Sequence, residues 1–263
     1  ESTSSPRVSY EVAYTWASTK TQIFLGSSLE DFLRFDLSTK IGVRQGLGDI
    51  GIVSLEVIGS PTPTKVWSDP YQIGVDRQDT DRESAGARLR WDKVLGTELE
   101  LRVSSKKTDI DDEFSGVALG LSSADRALLN RDGSINKFDL AYRFKFENLI
   151  IIPRLSLIDD DLDGAAMAHD RIQAEVSVAG KVNKLRYVTN LTLSQSDFDE
   201  VNPIYGVKDE SDQIGFSFTL FWDKAFGTKW IASAGIVAYE DRHEIDFYDT
   251  KATGITVAML RRF

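Results

Sequence analysis

One property narrows the folds open to this chain more than any other: apolar side chains recur at every second position, in runs longer than an ordinary strand. The stretch INKFDLAYRFKF sets Phe138, Leu140, Tyr142, Phe144 and Phe146 against Lys137, Asp139, Ala141, Arg143 and Lys145. DQIGFSFTLFW sets Ile214, Phe216, Phe218, Leu220 and Trp222 against Gln213, Gly215, Ser217 and Thr219. VSYEVAYTW and NKLRYVTNLTLS obey the same rule. A period of two belongs to strands, not helices.

The pattern predicts strands at 7–17, 20–28, 34–45, 50–59, 82–94, 97–107, 134–147, 149–158, 168–179, 184–196, 211–223, 228–240 and 251–263. Most span about ten to fourteen residues, where an ordinary strand spans about five or six. That is the length of a tilted membrane-crossing strand. The connections alternate as well. Short ones fall at 46–49, 95–97, 147–149, 180–183 and 223–227, and long ones at 60–81, 108–133, 159–167, 197–210 and 241–250. Short turns at one end and long loops at the other describe a bacterial outer-membrane barrel with its long loops outside the cell. A soluble barrel would turn its apolar face inward. Here the polar face mixes Arg with Gly, Ala and Ser, as suits a crowded wet lumen. The apolar face carries Tyr, Trp and Phe near strand ends, as interfacial girdles do. The last stretch, TGITVAMLRRF, keeps its alternation to Phe263, which is expected to seal the final strand against lipid. A terminal aromatic strand of this kind resembles the signal read by the outer-membrane assembly machinery.

Thirteen predicted strands make an odd number, whereas single-chain bacterial barrels have even ones. Strand 34–45 runs down into a short turn, so 20–28 runs up and 7–17 down. One further upward strand is needed before residue 7, and ESTSSP is too short to supply it. The expectation is an all-β, transmembrane, antiparallel up-and-down barrel, one domain over 1–263, fourteen-stranded when complete. The rival is twelve strands, with 7–28 folded another way.

Composition removes other classes. The net charge of −10 and pI near 4.8 argue against a nucleic-acid partner. The absence of Cys excludes disulfides and thiolate sites. The longest apolar run, LIIIP at 149–153, is far short of a membrane helix.

The stretches TQIFLGSSLEDFLRFD, VWSDPY, IDDEFSG and ALLNRDG, in that order, resemble an uncharacterised family of Gram-negative outer-membrane proteins catalogued as a domain of unknown function. The resemblance runs from about residue 8 onward. It implies the location, the barrel fold and one more strand-like segment at the start; it brings no catalytic residue and no substrate.

By parity the lumen receives Arg34, Lys40, Arg44, Arg88, Arg90, Arg102, Lys106, Lys137, Arg143, Lys145, Arg154, Arg171 and Arg186. Facing acids include Glu11, Asp36, Glu56, Glu98, Glu100, Asp139 and Glu175. Rings of Arg and Lys bias a pore toward anions; the alternative is that these charges pair across strands and fill the lumen. The segment DDDLDGAAMAHD offers Asp159, Asp161, Asp163 and Asp170, with Gly164 at the sharp-turn position, as a calcium loop. Its twelfth position is Asp rather than Glu and no helix flanks it. In loop 108–133, Ser122 or Ser123 is placed to cap a helix of about two turns. Loop 60–81 holds three of the six prolines, which would stiffen it and either present Trp67 and Tyr71 for contact or pack them within the loop. His169 and His243 lie beside Asp170 and Asp241, the parts an Asp–His water activation would use, but the overall reading is not an enzyme. The reading is a monomeric passive diffusion channel for small solutes, set among lipid and lipopolysaccharide. The alternative is a closed barrel serving as a surface binding or adhesion module through calcium-bound acidic loops.

Overall fold

The computed structural model describes residues 11–27, 39–60, 62–227 and 229–261. Arg34, Asp36 and Phe263 lie outside the described residues.

The chain is an antiparallel meander. Its strands are β1 (Glu11–Trp16), β2 (Thr21–Ser27), β3 (Thr39–Gly46), β4 (Ile52–Gly59), β5 (Thr64–Trp67), β6 (Asp79–Asp92), β7 (Leu99–Ile110), β8 (Gly133–Tyr142) and β9 (Phe144–Lys145). They continue as β10 (Leu149–Leu162), β11 (His169–Val182), β12 (Leu185–Val201), β13 (Lys208–Asp223), β14 (Trp230–His243) and β15 (Thr250–Arg261). Among the described residues one α-helix, the five-residue α1 (Ser123–Ala127), stands between β7 and β8. All fifteen strands belong to one sheet, in the order β1-β2-β3-β4-β6-β7-β8-β10-β11-β12-β13-β14-β15. Two short pieces lie off this path: β5 pairs with β6, and β9 continues the β8 pairing onto β10 after a break at Arg143.

Every predicted strand is present. The twelve-strand rival is corrected, because β1 and β2 pair in register with each other and β2 with β3 as part of the same wall. Among the described residues β1 and β15 are the two ends of the path. In a thirteen-strand meander these two ends run in the same direction.

The faces of the sheet settle which side is wet. On β4, Leu55 and Val57 are 53% and 57% exposed, while Ser54 and Glu56 between them are 0% and 3% exposed. On β8 and β10, Asp139 and Ser156 are each 1% exposed, while Phe138 and Leu157 stand outside. The polar residues are enclosed and the apolar ones face out. A belt of exposed Leu, Ile, Val and Phe around a whole sheet has no partner in water, and lipid supplies one. The fold is that of a transmembrane, antiparallel up-and-down β-barrel.

Several strands continue beyond this belt, further than alternation alone indicates. β12 is 17 residues long, roughly 56 Å at about 3.3 Å per residue, well over a hydrocarbon core of about 30 Å even when tilted. Its outward residues change from Leu191 and Leu193 to Gln195, Asp197 and Asp199, all exposed. The same change occurs on β10, where Leu155 and Leu157 give way to Asp159 and Asp161, and on β14 from Ile236 to Glu240 and Arg242. The long-loop end of the barrel therefore projects past the membrane as a polar rim.

Candidate functional site

The register sets the order of the lumen. One row of directly paired, inward residues reads Arg44, Ser54, Arg90, Arg102, Asp139, Ser156, Gln173, Ser194, Gln213 and Asp241. A neighbouring row reads Glu56, Arg88, Ser104, Lys137, Ile158, Arg171, Ser196, Ser211 and His243. Among the described residues the predicted lumen cations face inward, and most sit in shared ion pairs. Glu100 is reached by Arg90 at 2.8 Å, Arg102 at 3.1 Å and Arg154 at 3.5 Å. Asp139 is reached by Lys137 at 3.2 Å, Arg102 at 3.7 Å and Arg154 at 3.9 Å. Arg88 lies 3.6 Å from Glu56. Arg171 lies 3.2 Å from Asp160. Arg186 forks onto Asp223 near the short-turn end, at 2.8 and 2.9 Å. Arg44 donates to Gln22 at 2.9 Å and lies over the buried Phe24 ring, 3.9 Å from its centroid. Arg143 sits at the break between β8 and β9, its backbone N–H held by the Glu98 carbonyl at 3.1 Å. The charges pair across strands, and inward bases outnumber inward acids along β3 to β11.

At the projecting end five loops pack into a dome. Its core is Tyr71, Leu129 and Ala166, all buried, with Leu121, Leu128, Met167, Ile204 and Tyr248 against them. These residues come from the β5–β6, β7–β8, β10–β11, β12–β13 and β14–β15 loops. The Tyr71 hydroxyl meets that of Tyr248, and the Asn202 amide donates to Tyr248 at 2.9 Å. In the sheet, β6 and β14 are separated by six further strands, so this contact crosses the barrel mouth. Burial, reinforced by the neighbouring Tyr71 hydroxyl, pushes the Tyr248 phenol far above its usual range. Tyr71 is pushed up by burial as well. Both stay neutral hydrogen-bonding groups.

The dome is fastened from beneath. Asp69, itself buried, accepts N–H bonds from Tyr71 at 3.0 Å, Gly116 at 3.2 Å and Ala118 at 2.9 Å. Arg131 ties Glu113 at 2.6 Å to the Trp67 carbonyl at 2.9 Å. The predicted helix is present as α1, with Ser122 capping the Asp125 N–H at 3.2 Å. It is shorter than expected because Leu128 and Leu129 leave it to enter the dome core.

One alternative for these loops is decided and one reading is corrected. Tyr71 is not presented at the surface, since its ring fills the dome core; Trp67 remains exposed beneath the Arg77 guanidinium. The calcium loop is not formed. β10 continues to Leu162, so strand alternation sends Asp159 and Asp161 outward, and Asp170 stands opposite Asp159 in the ladder. Among the described residues no three His, Asp or Glu side chains converge as metal ligands. Gly164 has another task. A Cβ there would fall 2.3 Å from the Asn130 nitrogen and 2.7 Å from the Leu128 oxygen. The glycine lets the β10–β11 loop run against the end of the β7–β8 loop, where Gly164 N–H bonds Asn130 at 3.1 Å and Ala166 N–H bonds Leu128 at 3.0 Å.

Both histidines sit beneath the dome, above the apolar belt; His169 has a different partner from its sequence neighbour, and His243 keeps Asp241 and gains Asp209. His169 Nε2 is 2.8 Å from Asp160 and 2.6 Å from Arg171, and its Nδ1 is 3.1 Å from the Met167 carbonyl. His243 Nδ1 is 2.7 Å from Asp209, and its Nε2 is 3.6 Å from Asp241. Phe198 lies between them, 4.5 Å from the His169 ring and 6.1 Å from that of His243. Burial lowers the His243 pKa, but Asp241 and Asp209 together outweigh it, and the net shift is upward. Asp241 moves down, its burial being overcome by His243, Gln213 and Tyr239. Asp209 also holds the Ile245 N–H at 3.1 Å, so His243 anchors the loop that carries Tyr248. Asp160 and Asp209 were missed in sequence because their partners come from strand pairing; the inward parity of Asp160, one residue from two outward aspartates, was the available signal.

Among solved structures the chain is similar to a loop L8 deletion mutant of OmpT, an outer membrane protein of Vibrio cholerae, with a TM-score of 0.43 and 10% identity over 95% of each chain. Among curated proteins none matches. Residues 1–260 match the family described as protein of unknown function (DUF2860), and the chain belongs to that family.

Proposed function

We propose that the protein is an outer-membrane diffusion channel for small solutes, with a preference for anions. One observation carries the reading: the enclosed face of the sheet is predominantly polar, and on β3 to β11 its bases outnumber its acids. Fixed cations lining a narrow passage raise local anion concentration and repel cations. Carboxylates shared among several guanidinium groups, as Glu100 and Asp139 are, hold the cations in place without cancelling them all. The five-loop dome restricts the outer mouth. Conductance of the folded protein in a planar bilayer, under a salt gradient, tests the reading. The expected result is a steady current with an anion-selective reversal potential, moved toward zero by Arg90→Gln and Arg154→Gln. Silence from correctly inserted protein would sink it.

A second reading draws on the dome. A mouth spanned by an apolar core also suits a closed barrel that offers its loops as a binding surface, and it predicts no conductance at all.

A further inference from the structure

The lumen has two unlike walls. From β3 to β11 the inward positions carry most of the lumen's Arg and Lys side chains, interspersed with acids and short residues. From β12 to β15, between the level of Asp241 and that of the Arg186–Asp223 pair, the inward positions carry no charged residue. Most are short, many of them Ser, Thr, Asn or Gly, with Val188, Phe221, Val237 and Tyr239 as the larger exceptions. Asn190 accepts from Ser177 at 2.6 Å and donates to Ser217 at 2.9 Å. Thr219, Gly235 and Thr256 form a directly paired row across three strands. A Cβ on Gly235 would lie 2.8 Å from the Thr219 hydroxyl and 2.9 Å from that of Thr256. The glycine therefore lets the two threonine hydroxyls close in over it from either side. Gly215 is on the next strand pair, beside Thr192.

Length decides where the open space lies. Arginines on one wall reach inward, while Gly, Ser and Thr on the other leave room, so the passage is displaced toward β12–β15. A solute moving along it has guanidinium groups on one flank and hydroxyl and amide groups on the other. Guanidinium favours carboxylate or phosphate, through charge-assisted and often paired hydrogen bonds. A wall of hydroxyls that can both donate and accept suits a solute with several hydroxyls of its own. We infer that the preferred solutes are polyhydroxylated anions, the class of sugar acids and sugar phosphates. The acid group faces the β3–β11 wall and the hydroxyls face Asn190, Thr192, Ser217, Thr219 and Thr256.

This inference rests on the channel reading, and one experiment separates the two. Chloride current through the inserted protein is recorded while glucuronate, glucose 6-phosphate, glucose or acetate is added. The expected result is block by glucuronate or glucose 6-phosphate at concentrations about tenfold below those needed for glucose, which lacks the charge, or acetate, which lacks the hydroxyls. Whichever of the two anions blocks better identifies the acid group. Thr219→Val and Thr256→Val, close in shape to the native residues, should bring glucuronate block toward the acetate level. An anion-selective current that treats glucuronate and glucose 6-phosphate like acetate overturns the inference and leaves the channel reading standing. Absence of current removes both.

Discussion

Replacing Gly164 with Ala should loosen the whole dome while leaving the barrel intact. The new Cβ would stand 2.3 Å from the Asn130 nitrogen, 2.5 Å from its oxygen and 2.7 Å from the Leu128 oxygen. All three are backbone atoms and none can rotate aside. Carbon contacts settle near 3.5 Å, so the two loops must separate by roughly 1 Å. Overpacking of this kind costs about 1–3 kcal/mol, and the two hydrogen bonds that flank the contact lengthen with it. The dome meets the wall only through its loop roots, so the cost falls on its local opening and not on the strands. At about 1.4 kcal/mol per factor of ten, that is roughly a 5- to 150-fold rise in opening. Hydrogen exchange on the folded protein in detergent or nanodiscs reads this directly. Amides at 66–78, 111–132, 163–168, 202–207 and 244–249 should speed up together, with those of β10 to β14 unchanged. A change confined to 163–168, or none, would refute the claim that the five loops form one cooperative unit.

The remaining predictions follow from particular side chains. The raised His243 pKa stabilises the 244–249 anchor fully below the unfolded value of about 6.5, and that contribution is lost as pH rises through the folded value. Exchange of the Ile245 amide should therefore increase with pH above neutrality beyond its intrinsic trend, and His243→Gln should remove that excess. The depressed Asp241 acts in the opposite sense: its contribution is present above about pH 3.8 and disappears as pH falls through its folded value, which thermal melts between pH 5 and pH 2 should register. Asp69→Ala removes the acceptor of three loop N–H groups and should destabilise the dome by about 2–4 kcal/mol, visible as faster proteolytic nicking in 111–122. On the outer rim, Asp159, Asp170, Asp197 and Glu210 stand directly opposite one another across four strands. Like charges so placed repel, so Asp170→Asn should raise the melting temperature, by an amount worth up to about 1 kcal/mol, in low salt and less in high salt.

How much of this was legible in the sequence depends on the range of the interaction. Alternation is local, and it was enough to set the strands, the inversion of the faces and the inward aim of Arg90, Arg102 and Arg154. It could not set the ends of β10, β12, β13 and β14, because above the belt their outward residues turn acidic and read as loop. Hydrogen bonding to neighbouring strands, which a single segment does not display, is what extends them. The dome was invisible for the same reason. Tyr71 and Tyr248 are far apart in the chain, and only closure of the wall brings their loops over one mouth.

The aspartates at 159–163 show the same limit from the other side. As a string, alternate carboxylates ending in glycine match a cation loop, because in a loop all of them can turn to one centre. In a strand the same spacing fixes them on one face, with successive carboxylates stepped along it by roughly 6.6 Å. The intervening Asp160 turns inward to His169 and Arg171 instead. Gly164 then falls where two backbones touch. One further strand turn separates a metal motif from a hinge of the dome, and the ladder hydrogen bonds that carry β10 through to Leu162 decide between them.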